Sequence, residues 1–285
     1  MMRLFSDSGA CDCHSHVYGP FSEYRLSRQR TFDPPLAPIE ELESVWMSLG
    51  ISRAVLAQGS AYGDDHSAML AALQRSPASR RGVALVNHTI GDSILAEFHR
   101  QGIRAARVNW VQHLLINDVL PRRDRMADIV ALYERIAPLR WHIEIHMDSS
   151  DLMTLKREVL PAGMVILIDH MARIDLSAPQ SEAELALLGE LLENPMFWVK
   201  LSGADRLTRQ CDGLRQALRA MRKILRVAPD RCVCGLDWPH VNLAHRQDDV
   251  ALAELLLEAA GDEATLRNVL VENPARLYGF DECAA

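Results

Sequence analysis

The 285-residue chain has no apolar run approaching the ~18 residues of a membrane-spanning helix. Its opening stretch, MMRLFSDSGACD, lacks the apolar core of a secretory leader. The expectation is a cytoplasmic protein with no membrane partner. Basic charge is also in short supply: 31 Lys and Arg against 38 Asp and Glu leave a formal net charge of -7. That balance disfavours nucleic-acid and anionic-membrane binding, both of which need a basic face. Any acidic substrate must then be met by locally placed arginines. No C-x-x-C occurs among the six cysteines, and Cys11/Cys13 and Cys232/Cys234 are too close to bridge. They read as reduced thiols filling buried strands. G-x-G-x-x-G is absent, which removes the usual nucleotide signature of an open α/β sheet. No G-x-S-x-G elbow is present to make Ser60 or Ser202 a nucleophile. Internal repeats and linker-like stretches are missing too, so residues 1–285 are expected to form a single domain.

What is present is an alternation. Short β-branched runs recur at 11–17, 53–58, 81–87, 103–110, 141–147, 165–171, 197–203 and 231–238. Amphipathic segments separate them. Ile39, Leu42, Val45, Trp46 and Leu49 form one stripe, and Ile129, Leu132, Tyr133 and Ile136 another. A third, over 211–229, has a basic outer face and Thr208 or Asp212 as its cap. Eight strands alternating with helices predict an α/β fold, a (β/α)8 barrel of the kind that typically takes ~250 residues. The polar, Pro-rich segment at about 18–38 is expected to be a long loop over the active site.

The chemistry collects where the strands end. In CDCHSHVYGP, residues two apart on an extended chain face the same way, so His14 and His16 point together. Further along come Gln58 and Ser60, Asn87 and His88, Arg107 and Asn109, and His146 and Asp148. Asp169 and His170, Lys200 and Ser202, and Asp237 and His240 complete the set. Barrel active sites form at the C-terminal strand ends, and eight such ends finishing in polar groups point to one rim. Ester hydrolysis is within reach of this set: Asp237 as general base for water, imidazoles donating to a carbonyl oxygen, arginines gripping carboxylates.

The stretches DCHSHVYGP, VLAQGSAYGDD, WHIEIHMDSSDL, VILIDHMARID, WVKLSGADRLT, GLDWPHVN and NPARLYGF resemble the amidohydrolase superfamily. Within it they are similar to the branch of lactone hydrolases typified by 2-pyrone-4,6-dicarboxylate lactonase. The resemblance implies that His14, His16, His170 and Asp237 are catalytic. It implies that Arg107 and Arg206 hold carboxylates of a small anionic lactone. Ser60, His146, His240 and Asn242 join them as candidate substrate contacts. The resemblance also implies a reaction without metal, whereas His146 stands where metal-binding members place a histidine. One zinc ion held by His14, His16, His146 and Asp237 is therefore the alternative. Phe32 stands where the branch has a substrate-contacting tyrosine.

Two other functions compete: a metal-dependent decarboxylase of the same superfamily, and a barrel that binds a ligand without turnover. Lys200 has two readings, a substrate contact or a structural partner of acids. His88, His99, His113 and His142 are expected to be structural or superficial. Trp141 and Trp198 are expected at the barrel's bottom, and NPARLYGF is expected to seal it.

Overall fold

The structure, a computed structural model, describes residue 5 and residues 9–111, 126–207, 214–243 and 248–280. Thr208, Asp212 and His113 lie outside the described residues. Eight parallel strands follow one another in chain order around a nearly closed barrel. They are β1 (Cys11–Ser15), β2 (Arg53–Ala57), β3 (Arg80–Leu85), β4 (Ile103–Asn109), β5 (His142–His146), β6 (Ile166–Ile168), β7 (Phe197–Leu201) and β8 (Cys232–Cys234). All eight fall within or overlap the β-branched runs. β6 and β8 are shorter than their runs, because the chain turns left-handed just beyond them, from His170 and at Asp237.

β1 and β8 meet where the ring closes. The Asp237 N–H donates to the His14 carbonyl (2.7 Å) and the His16 N–H to the Trp238 carbonyl (2.8 Å). Gly235 makes the approach possible, since a Cβ there would lie 2.5 Å from that of His14. Asp12 pins the same junction. Its carboxylate accepts from Ser15 Oγ (2.5 Å), Trp46 Nε1 (2.8 Å), and the backbone N–H groups of His14 (3.1 Å) and Leu236 (3.0 Å). One buried acid thus ties the first strand to the last and to the first helix.

The helices cover the outside. α1 (Ile39–Leu49) carries Glu40 and Glu41 in its first turn, where they complement the helix dipole. It ends at Gly50, whose positive φ lets its N–H return to the Trp46 carbonyl, and buries Leu42, Trp46 and Leu49. α2 (Ser67–Gln74), α3 (Asp92–Arg100), α4 (Met126–Ile136), α5 (Leu152–Lys156), α6 (Ser181–Leu192), α7 (Leu214–Val227) and α8 (Asp249–Ala260) continue the outer layer. α9 (Glu263–Arg267) and α10 (Asn273–Tyr278) follow β8's helix. No helix among the described residues is long and apolar enough to cross a membrane.

A separate apolar cluster takes Cys11, Cys13, Val55, Ala57, Val83, Ala105, Leu167, Trp198 and Val233 from the strands, together with Ala275, Tyr278 and Phe280. It contains no residue of the outer helices α1–α9, so it is the barrel lumen. α10 and the residues after it form its floor. Cys11, Cys13, Cys232 and Cys234 are free thiols. Trp198 packs in this floor under the Arg276 guanidinium, 5.0 Å from the ring centre. Trp141 sits outside it and donates its Nε1–H to His99 Nδ1 (3.1 Å).

Candidate active site

At the C-terminal ends of the strands lies a cavity of about 450 Å3, a size suited to a small organic ligand. The segment over 18–38 folds back on itself, Tyr18 and Ala37 exchanging both backbone hydrogen bonds at 2.8 Å, and carries Phe32 into the wall. Ser60, Arg107, His146, His170, Arg206, Asp237 and Asn242 line the cavity with His16. His14 lies just beneath, with its ring centre 4.9 Å from that of His16 and 4.6 Å from that of His170. Strands far apart in sequence therefore deliver these groups to one cup.

Asp237 is at its centre. His14 Nε2 stands 3.9 Å, and His16 Nε2 3.7 Å, from Oδ1. Arg206 Nε donates to Oδ2. Burial works to raise the Asp237 carboxyl, but Arg206 foremost, then the surrounding histidines, hold it well below the usual carboxylate range. The group is an anion with one oxygen turned to the imidazoles.

The two histidines of the first strand differ. His16 Nδ1 lies 2.9 Å from the Ala57 carbonyl, which only accepts. In the neutral ring the proton is on Nδ1, and Nε2 offers a lone pair to the cavity. That departs from the expectation that every imidazole donates to substrate. His14 has Nδ1 against Lys200 Nζ (3.0 Å), and its Nε2 has no hydrogen-bond partner. Burial and the neighbouring Lys200 charge lower the His14 pKa to about 3. His170 Nδ1 meets Ser202 Oγ (2.8 Å). Burial first, then Arg107 for His146, pulls the pKa values of His146 and His170 well below the ordinary histidine value.

Beneath the cup lies a buried ion network that sequence reasoning did not find. Lys200 Nζ contacts Glu144 Oε2 (2.6 Å) and Asp169 Oδ1 (3.0 Å), and Arg107 Nε donates to Asp169 Oδ2 (2.9 Å). All four side chains are buried. Two cations balance two anions, as burial of charge requires. Lys200, which has no exposed surface, is thus the structural partner of acids.

Other residues sit elsewhere than expected. His240 does not line the cavity. Its Nδ1 faces Asp205 (3.3 Å) and its Nε2 faces Asp249 (2.9 Å), so both ring nitrogens are committed to carboxylates. Burial opposes the charged imidazole, yet the two acids outweigh it and push the pKa up to about 9. The end of β3 contributes nothing to the cup: Asn87 closes its own turn with Thr89, and the half-buried His88 turns its Nδ1 towards Asp128 (3.9 Å). Gln58 reaches the Asp65 carbonyl (2.8 Å). Arg173, not foreseen, enters the wall beside Asp148 (3.1 Å). It does so because His170, Met171, Ala172 and Arg173 all have φ of 51 to 55°, a left-handed turn that costs about 1–2 kcal/mol per non-glycine residue.

By spacing alone, two sets among the described residues could hold a metal ion: His14, His16 and Asp237, and His14, Asp169 and His170, each with ligand atoms within 4.8 Å of one another. His146 belongs to neither. The charges already in place fit a cation poorly. Arg206 occupies Asp237, while Lys200 and Arg107 occupy Asp169.

Known proteins share this architecture and sequence. The amidohydrolase family profile matches residues 11–280. A 2-pyrone-4,6-dicarboxylate hydrolase of Comamonas testosteroni is 33% identical over 96% of this chain and 92% of its own. A 4-sulfomuconolactone hydrolase of Hydrogenophaga intermedia is 30% identical over 98% and 91%. A solved structure from Pseudomonas putida, provisionally described as a 2-pyrone-4,6-dicarboxylic acid hydrolase, superposes with a TM-score of 0.80 at 30% identity, covering 98% of this chain and 99% of that one.

Proposed function

Because this chain belongs to the amidohydrolase family, we propose that it is a lactone hydrolase acting on a small carboxylated lactone, without a catalytic metal. The observation that carries the reading is the cup itself: an ionised Asp237 facing imidazoles, inside a cavity walled by Arg107, Arg173 and Arg206. Three guanidiniums stand in this wall beside four carboxylates, Asp148, Asp175, Glu184 and Asp237, and in a protein of net charge -7 they are the cations there that an anionic substrate can use. Arginine suits it, because its planar fork gives a carboxylate two parallel hydrogen bonds. The relatives named as hydrolases of a pyrone dicarboxylate and a sulfonated muconolactone support an anionic ring as substrate.

The proposed chemistry follows from donors and acceptors. Asp237 Oδ1 takes a proton from water, a role worth about 10²–10⁴ in rate. His16 Nε2, a bare acceptor beside it, orients the same water. His14 supplies an N–H to the lactone carbonyl oxygen as negative charge develops there. The water oxygen bonds to the carbonyl carbon, the ring C–O bond breaks, and the proton held by Asp237 passes to the departing ring oxygen, which stays tethered in the product. Ser60, His146 and Asn242 are read as substrate contacts in the wall. Both metal-dependent alternatives, the zinc lactonase and the decarboxylase, would require a cation where Arg206, Lys200 and Arg107 already neutralise the acids.

The test is a panel of lactones assayed with and without added zinc, including pyrone dicarboxylate, a sulfonated muconolactone and neutral aldonolactones. We expect hydrolysis of an anionic lactone with no response to zinc. Turnover of none of them, or decarboxylation that appears only with metal, would overturn the reading.

A further inference from the structure

Lys200, at the end of β7, is surrounded by three acceptors: Glu144 Oε2 at 2.6 Å, Asp169 Oδ1 at 3.0 Å and His14 Nδ1 at 3.0 Å. An ammonium has three N–H groups and no lone pair. Its hydrogen bonds run to Glu144 Oε2 and His14 Nδ1, while Asp169 Oδ1 stands at ion-pair distance and accepts no hydrogen bond. Burial disfavours the Lys200 charge, but Asp169 and Glu144 outweigh it and keep the group protonated.

The competing arrangement puts the His14 proton on Nδ1, aimed at Asp169 Oδ1, 3.5 Å away. Two N–H groups would then face each other across the 3.0 Å between Nζ and Nδ1. One buried ammonium proton would be left without a partner, at a penalty far above that of a stretched contact. A proton on Nε2 instead faces Asp237 Oδ1, 3.9 Å away at the base of the cup, where that buried nitrogen has no hydrogen-bond partner within the protein.

We propose that Lys200 is a positioning residue: it holds His14 in the Nε2–H tautomer, so that the ring is a fixed donor towards the substrate carbonyl. The support continues downwards. Glu144 Oε1 accepts from Tyr278 Oη (2.7 Å) and faces His142 Nε2 (3.3 Å). Tyr278 is the last residue of α10, in the floor of the barrel. A chain of buried hydrogen bonds, Tyr278 to Glu144 to Lys200 to His14, therefore runs from the floor to the reacting groups. His16, tied to a carbonyl, takes the opposite tautomer. Adjacent imidazoles thus become one donor and one acceptor. This inference rests on the reading that His14 faces the lactone carbonyl.

The experiment uses the full-length protein labelled with 15N histidine, with His14 signals assigned by their absence from a His14→Gln spectrum. At neutral pH we expect His14 Nδ1 in the unprotonated range and a proton-coupled Nε2. In Lys200→Met the tautomer should reverse towards Asp169, and kcat should fall at least about tenfold with KM within about twofold. Tyr278→Phe, a milder change, should keep the tautomer but weaken kcat by a few-fold. A wild-type His14 protonated on Nδ1 overturns the proposal, as does a Lys200→Met protein with wild-type tautomer and kcat. Should Lys200→Met fail to fold, the wild-type spectrum still decides. If the tautomer is as stated and no lactone is turned over, the proposed function fails while the positioning stands.

Discussion

Arg206 Nε donates to Oδ2 of Asp237, so a guanidinium in the wall of the cavity is bonded to the carboxylate at its centre. A second donor of the same side chain, a terminal nitrogen, reaches the Val241 carbonyl (3.0 Å). Arg206 therefore both restrains the base and faces the space that a substrate carboxylate would fill. Removing it should act twice. In Arg206→Ala, KM for a dianionic lactone should rise by about 10- to 100-fold, the worth of a charge-assisted hydrogen bond, and by less for a neutral one. The carboxyl of Asp237, freed from its cation, should titrate higher, moving the acid limb of the kcat profile upward in pH. Steady-state kinetics on paired dianionic and neutral lactones over a pH series measure both. Equal KM changes for the two would remove the carboxylate-binding role.

Asp237→Asn should leave the fold intact, since the amide keeps an oxygen for Arg206, and should lower kcat by at least about 10². Circular dichroism and a stopped assay are sufficient. Normal turnover in this variant would mean that another group takes the proton from water.

Exhaustive dialysis against a chelator should leave the hydrolysis rate unchanged, and elemental analysis should find less than one equivalent of zinc. A loss of activity restored by zinc would show that the cations around Asp237 and Asp169 rearrange to admit one.

His240 should make stability depend on alkaline pH. Its folded pKa is pushed up to about 9, above the ~6.5 of an unperturbed imidazole. The charged form is favoured by folding, so its contribution is complete below the unfolded value and is lost as pH rises through about 9. The difference is on the order of 3 kcal/mol. Urea unfolding at roughly pH 6 and pH 10 should show this drop in the wild type and a smaller one in His240→Gln.

Asp12→Asn should be destabilising by about 2–3 kcal/mol although the residue is remote from substrate. Its Oδ2 accepts from both Ser15 and Trp46, and an amide nitrogen placed there would face donors. Thermal unfolding with a parallel assay distinguishes this from a catalytic effect. An unchanged melting temperature would mean that the junction of β1 and β8 is held by other contacts.

What could be read from sequence was local. Strand runs, helical stripes and the His-x-His spacing depend on neighbours a few residues apart, and the barrel follows from their alternation. The ion network was hidden because it depends on register. Lys200 meets Glu144 and Asp169 only when β5, β6 and β7 pair as Glu144 with Leu167 and Leu167 with Trp198. Arg173 was hidden for a different reason: four non-glycine residues in a left-handed turn leave no compositional trace. The side chain of His240 was misplaced because Asp205 and Asp249, which claim its two nitrogens, belong to elements on either side of it. Asp12 was visible as an acid inside a buried strand, a signal that composition alone does not interpret.

The floor of the barrel has a consequence for biosynthesis. His14 leaves the ribosome 186 residues ahead of Lys200, whose contact fixes it, and Asp237 and the phenol at position 278 that supports Lys200 through Glu144 follow later still. Nascent chains cannot carry a working centre, and a premature stop a few codons before Tyr278 would silence chemistry occurring at the opposite mouth of the molecule.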